Sequence, residues 1–234
     1  MWTARTFGDM PKYATAVTIP NTASRSGPLT TISELNTAIA DTSIDVIEWA
    51  GDYEDTQVTI NQGTVIPASS TRYITGPGDL PPLLITGGAT GKELIITDMT
   101  FGSDTTTEIA RIWCYDAQYL TIDQVNSTFN GHALISIGNS RSGTTKNITI
   151  QKGVLRGTQA VPTEYAAIIL KSRCRDMDYA DWAASGNWPG RSENVHVYDM
   201  DSDNMSDFFQ SQANDPGDAD HYSTIDHKDT HIAG

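Results

Sequence analysis

The stretch from Glu93 to Phe209 carries one pattern four times. Leu94-Ile95-Ile96, Leu120-Thr121-Ile122, Ile148-Thr149-Ile150 and Val195-His196-Val197 open the copies. After a turn come Ile109–Trp113, Ala133–Ile137, Ala166–Leu170 and Phe208-Phe209. Alternation of this kind puts every second side chain on one face of a strand. Aligned on the opening strands, Ile96, Ile122, Ile150 and Val197 share one inward place. Two residues on, Asp98, Gln124, Lys152 and Asp199 point the same way or begin a bend, and Met99, Val125, Gly153 and Met200 follow. A unit this short cannot bury its apolar face alone, but stacked copies can. The pattern therefore predicts an all-β chain wound as a right-handed parallel β-helix.

The copies are unequal. Leu94 and Leu120 are 26 residues apart, Leu120 and Ile148 are 28, and Ile148 and Val195 are 47. The long coil carries an insertion at Arg173–Arg191 (RCRDMDYADWAASGNWPGR). Solenoid insertions emerge as loops, and such loops commonly form a binding face.

Composition agrees with one elongated body. The chain has 234 residues, 19 Gly and 10 Pro, with the Gly and Pro mostly between the apolar runs where turns are needed. Its formal net charge of −14 repels phosphate backbones and anionic lipid surfaces, so neither nucleic acid nor a membrane is an expected partner. The two cysteines, Cys114 and Cys174, fall two coils apart in the alignment, roughly 10 Å at one strand spacing per coil. That exceeds disulfide reach, so they are expected to be separate thiols. Met1-Trp2-Thr3-Ala4-Arg5 leads into polar sequence without the apolar core of a secretion signal.

Residues 1–30 read as an irregular arm broken by Pro11, Pro20, Gly27 and Pro28, with one short strand at Ala16–Ile19. Residues 31–234 read as the β-helix domain. Thr31–Ala40 has helical spacing at Ile32, Leu35 and Ile39, with Ser33 as a candidate cap. Strands are predicted at Asp45–Trp49, Gln57–Ile60, Arg72–Gly76 and Leu83–Gly87. A helix ahead of the first coil would cover apolar side chains and free backbone edges. Tyr222–Asp226 looks like the start of a further coil, with no cap after it, so a longer solenoid or a covering subunit is expected.

The run Ile32–Gly76 resembles the opening of pectate-lyase-like right-handed β-helix proteins. It has a capping helix ending in a small residue, then a strand, the Gly-x-Tyr turn Gly51-Asp52-Tyr53, and a strand closing on Gly76. The turn follows its strand one residue sooner here. The similarity extends over about Ile32 to Gln210. Polysaccharide lyases of the alginate-lyase and chondroitinase-B type carry this opening, and so do phage tailspikes and virion proteins. The resemblance implies a structural, glycan-recognising phage protein (tailspike, tail fibre or capsid decoration), found in a virion or outside cells. Its expected partners are two further copies in a trimer, other virion proteins and a cell-surface polysaccharide. The alternative it implies is a lyase or glycosidase acting on an acidic polysaccharide. In those lyases a Lys-Ser at a strand end and a downstream Arg belong to the catalytic set. Lys171-Ser172 and Arg191 match them in position.

Three clusters are further candidates. Arg173, Arg175, Asp178, Tyr179, Trp182 and Trp188 in the insertion combine rings that stack on sugars with groups that bond hydroxyls. The same mixture suits packing against the solenoid or a partner subunit. Asp199, Asp201 and Asp203 alternate as oxygen ligands for Ca²⁺ would, or form a solvated turn. No other cofactor is expected. His221, His227 and His231 stand among aspartates, a composition that fits either a transition metal or a polar tail.

Overall fold

The computed structural model describes residues 16–67, 69–88, 91–101, 112–129, 133–138, 143–157, 166–171, 191–203, 207–212, 227–228 and 231–233. The chain is a parallel β-helix, and every strand pairing described is parallel. In order the elements are β1 (Arg25–Leu29), α1 (Ile32–Ala40), β2 (Val46–Trp49), β3 (Val58–Asn61), α2 (Gln62–Val65), β4 (Thr71–Thr75), β5 (Asp79–Leu80), β6 (Leu83–Thr86), β7 (Glu93–Phe101), β8 (Ile112–Tyr115), β9 (Gln118–Phe129), β10 (Ala133–Gly138), β11 (Thr144–Gln151), β12 (Val154–Gly157), β13 (Ala166–Lys171), β14 (Arg191–Tyr198), β15 (Asp201–Asp203), β16 (Asp207–Gln212), β17 (His227–Lys228) and β18 (His231–Ala233).

The main sheet runs β1-β2-β4-β7-β9-β11-β14-β17, and the second runs β16-β13-β10-β8-β6-β3. The long strands β7 and β9 turn a corner within themselves. Asp98 and Gln124 there have φ of 55° and 52°, and Lys152 and Asp199 in the next coils have 55° and 48°. The bend expected two residues past the inward isoleucines is thus a stack of left-handed residues, a conformation that non-glycine residues hold only where the surroundings demand it. Beyond the bend, β5, the end of β7, the end of β9, β12 and β15 form a third face.

The core is a set of columns, one residue per coil. Ile47, Ile74, Ile96, Ile122, Ile150 and Val197 are in register along the main sheet, and none is more than 1% exposed. On the second sheet Val58, Leu83, Ile112, Ile135 and Ile168 stack in the same way, beside Ile60, Ile85, Cys114, Ile137 and Leu170. At about 1.5–3 kcal/mol for each buried side chain, these columns dominate the favourable side of folding. Cys114 is a member of one column. Burial pushes its thiol up to about 12, so it is a packing residue and not a reactive one. Cys174 lies outside the described residues.

The N-terminal end is closed by α1. Thr31, and not Ser33, caps it. Thr31 Oγ1 accepts from the Glu34 amide at 3.3 Å, and Glu34 Oε2 accepts from the Thr31 amide at 3.1 Å. Leu35, Ala38 and Ile39 face the core. The helix is tied down by Arg72. In β4 this residue pairs with Leu94 and so occupies the inward place that Leu94, Leu120, Ile148 and Val195 fill in later coils. Only 1% exposed, it donates to the carbonyls of Ala38 (2.9 Å), Asp41 (2.8 Å) and Val65 (2.8 Å). A helix C-terminus leaves carbonyls without intrahelical partners, and a guanidinium is well shaped to serve several at once.

Beside it, Trp49 is fully buried and donates from Nε1 to the Asp79 carbonyl at 2.7 Å. Gly76, at φ 134°, passes so close that a Cβ there would lie 2.1 Å from the Trp49 carbonyl oxygen. Gly51 lies against the indole, where a Cβ would meet Cζ2 at 2.3 Å. Gly51 is thus required by the Trp49 side chain, and Gly76 by the close passage of the backbone at Trp49.

Two expectations change here. Arg25–Leu29 is not irregular. It pairs with β2 despite Gly27-Pro28, because an edge strand can spare the amide that proline lacks. Ala16–Ile19 forms no strand. Instead Val17 and Ile19 pack on Val46, Tyr73 and Ile95. Tyr222–Asp226, the expected start of a further coil, lies outside the described residues; beyond 212 the described strands are β17 and β18, which stack in parallel on β14.

Arg72→Met keeps the stem and removes the donors, so the Ala38 and Asp41 carbonyls lose their partner. We expect a loss of about 2–4 kcal/mol in urea unfolding, with amide exchange protection lost first at residues 32–40. Unchanged stability would show that the clamp is dispensable. A second prediction concerns acid. Glu34, Asp41 and Asp45 are held below the usual carboxylate range by hydrogen bonds from Thr30 and Thr31, from Ser43, and from Ser69 and Ser24 respectively. Groups depressed in the fold stabilise it above their unfolded values of about 4 and lose that contribution as pH falls through the folded values. Asp79, pushed up by burial and by Asp52, acts in the opposite sense, but three groups stand against one. Melting temperature should be flat from pH 7 to about 5 and fall below about 4, with the α1 end opening first by exchange.

Candidate functional site

The outer face of the main sheet has its own column. Val46, Tyr73, Ile95, Thr121, Thr149 and His196 lie in register on successive coils. Its first three members are apolar or aromatic and lie under Val17, Ile19 and Ala23. From Thr121 onward the column is polar, and none of the described residues covers it. That switch creates a groove of about 450 Å³, walled at one end by Ala16–Thr18 and bounded by Glu93, Gln151 and Tyr198. It shares Glu93, Thr121, Thr149 and His196 with an adjoining hollow of about 670 Å³, beside Lys92, Tyr119, Asn147 and Asn194.

Each flank is built by the coil repeat. On one side Tyr119, Asn147 and Asn194, immediately before the opening strands, have φ of 56°, 56° and 53°. Asparagine tolerates this left-handed conformation better than most residues. Asn194 Nδ2 donates to Asn147 Oδ1 at 2.9 Å, a side-chain rung between adjacent coils. Lys146 Nζ stands 5.9 Å from the centre of the Tyr119 ring.

On the other side Thr97, Asp123, Gln151 and Tyr198 form a column. Asp123 is fully buried. Its carboxylate accepts from Thr97 Oγ1 (3.1 Å), Gln124 Nε2 (3.1 Å) and Gln151 Nε2 (2.7 Å), and Lys152 Nζ lies 3.8 Å away. A buried carboxylate is tolerable only with such partners. Here the arrangement fixes the Gln151 amide at the groove wall. Next to it the rings of His196 and Tyr198 stack at 5.7 Å with 7° between their planes, and Tyr198 Oη is 3.1 Å from His196 Nδ1. Burial raises the Tyr198 phenol pKa, so it keeps its proton at neutral pH. Tyr73 is raised as well, first by burial and then by Glu93 and Asp45. Glu93 Oε1 accepts from Thr121 Oγ1 at 3.1 Å, and Lys92 Nζ donates to the Pro67 carbonyl at 2.6 Å.

The residues singled out in sequence are described only in part. Lys171 ends β13 in the second sheet, paired with Gln212, and Arg191 begins β14 in the main sheet, paired with Thr144. Their side chains, and all of Arg173, Arg175, Asp178, Tyr179, Trp182 and Trp188, lie outside the described residues. Asp199 is an exposed bend residue, Asp201 an exposed member of β15, and Asp203 the end of that strand. Among the described residues no group of three or more His, Cys, Asp or Glu is placed to hold a metal ion. No described helix is long and apolar enough to cross a membrane. The groove residues were visible in sequence only as the middle positions of the opening strands, where Ile95 gives way to Thr121, Thr149 and His196.

Comparison of the chain with protein-family models, with curated proteins and with solved structures returns no match.

Asp123→Ala would leave the Gln151 amide and the Lys152 ammonium without their acceptor. A loss of about 3 kcal/mol is expected by chemical denaturation, and Asp123→Asn should lose less because it keeps one acceptor oxygen. Equal losses for the two would show that size, and not hydrogen bonding, sets the requirement.

Proposed function

We propose that this protein is a glycan-recognising, non-catalytic β-helix component of a phage virion, of the kind found in a tailspike, tail fibre or capsid decoration. The observation that carries this reading is the groove along the outer face of the main sheet, open among the described residues. Threonine hydroxyls (Thr121, Thr149) and asparagine carboxamides (Asn147, Asn194) repeat there on adjacent coils beside the His196 imidazole, as a polymer of sugars would require. A rigid solenoid holds such groups at fixed spacing, so little order has to be created on binding. The likeness of Ile32–Gly76 to pectate-lyase-like β-helix proteins is shared by virion proteins and lyases and is specific for the fold, so it leaves the choice between them to the site. In this reading the chain works as a homotrimer or against other virion proteins, and the Arg173–Trp188 segment adds to the sugar contacts or to the subunit interface.

The alternative is a polysaccharide lyase. It is favoured by the His196–Tyr198 hydrogen bond, which offers a base and a proton donor in the groove, whereas Lys171 and Arg191 lie in different sheets.

Two measurements test the proposal together. Light scattering on the purified chain should give three times the monomer mass. Incubation with alginate, pectate or chondroitin should give no rise in the ultraviolet absorbance of unsaturated chain ends. A rise that is lost in Lys171→Ala or His196→Ala would replace the binding role with lyase activity.

A further inference from the structure

Resting on the glycan-binding reading above, we propose that the groove selects an uncharged, hydroxyl-rich polysaccharide lying along the solenoid axis, and discriminates against polyuronates. Three observations lead there.

The first is spacing. Thr121 and Thr149 are register partners on adjacent coils, so their hydroxyls recur at one strand spacing, about 4.8 Å. That is close to the length of a single sugar ring. Thr121 already donates to Glu93, whereas the Thr149 hydroxyl makes no hydrogen bond among the described residues and lines both hollows.

The second is charge. A uronate carboxylate is best met by a bidentate guanidinium or a free ammonium. Among the described lining residues there is no arginine. The lysine there, Lys92, is engaged by the Pro67 carbonyl and is countered by Glu93 across the same hollow. Asp123 with Lys152 adds no net charge beneath the wall. Lys146 stands behind the lining, 5.9 Å from the Tyr119 ring, so a row of carboxylates would find a single ammonium at one edge and none along the row, on a chain of net charge −14. A neutral sugar has no such cost and needs only what is present, namely the threonine hydroxyls and the half-buried Asn147–Asn194 rung.

The third is shape. Tyr198 is only 6% exposed and stacks parallel with His196, so the half-buried His196 imidazole is the ring that faces the groove and can lie against the apolar face of a pyranose.

Affinity electrophoresis through native gels tests this directly. One set of gels contains dextran, mannan, galactan or mixed-linkage β-glucan, and the other contains polygalacturonate, alginate or hyaluronan. The full chain and Thr149→Val, an outward-facing change that keeps the β-branched shape, are run side by side with melting temperatures as a folding control. Retardation by at least one neutral polymer, insensitive to salt and weakened about tenfold in Thr149→Val, is the expected result and corresponds to one lost hydrogen bond. Retardation by acidic polymers alone, declining with salt, overturns the selectivity while leaving a glycan-binding protein. Retardation by neutral polymers that Thr149→Val does not change overturns the assignment to this groove. No retardation by any of the polymers overturns both the selectivity and the glycan-binding reading.

Discussion

A stack of identical coils has no intrinsic place to begin, and its first coil would expose apolar side chains and unpaired edges to water. Here the beginning is fixed by Arg72. It replaces one aliphatic member of an inward column with a buried guanidinium, and that guanidinium holds the C-terminal carbonyls of α1 over the end of the core. The helix supplies apolar cover through Leu35, Ala38 and Ile39, and the arginine converts its otherwise orphaned carbonyls into anchors. Burying such a charge is tolerable only because several acceptors surround it. This constraint makes the first coils special and leaves the later ones free to repeat.

With the end closed, the same registration that stacks isoleucines inside also stacks side chains outside, and function follows from what the outer columns contain. Where the outward column reads Val46, Tyr73, Ile95, the N-terminal segment lies on it. Where it reads Thr121, Thr149, His196, no described residue lies over it. The boundary of the groove is thus a change of residue type along one column. The flanks obey the same logic. Each coil must turn a corner, each corner uses a left-handed residue, and the side chains next to those corners (Asn147 and Asn194 on one side, Asp123 and Gln151 on the other) lock to their neighbours above and below. Rigidity at the groove wall is a consequence of the repeat.

Much of the scaffold was legible in the chain itself. The inward isoleucines, the second-sheet strands and the bend at Asp98, Gln124, Lys152 and Asp199 all follow from period-two alternation repeated at a fixed interval. The departures have local causes. Gly27-Pro28 reads as a breaker and hides β1, because nothing in one strand announces that it will lie at an edge. Ser33 looked like a cap, but the capping box needs Glu at the third helical position, and that choice selects Thr31. Arg72 reads as an ordinary strand residue, since the acceptors that make its burial tolerable come from Ala38, Asp41 and Val65. The candidate site was the least legible part. Attention goes to unusual composition, to Arg173–Trp188 and the aspartate row, whereas the groove is made of common residues whose meaning depends on what lies one coil away.

The sequence by itself determined the parallel β-helix, its strand register and the apolar columns, because each copy of the pattern specifies its own alternation and only stacking can satisfy all copies at once. Tertiary structure decided the rest: which inward position could be an arginine, which glycines Trp49 requires, and which outward positions lie under the N-terminal segment. These depend on contacts between residues some twenty to fifty positions apart, one or two turns of the solenoid, and no local pattern in the chain encodes what the neighbouring coil will place there.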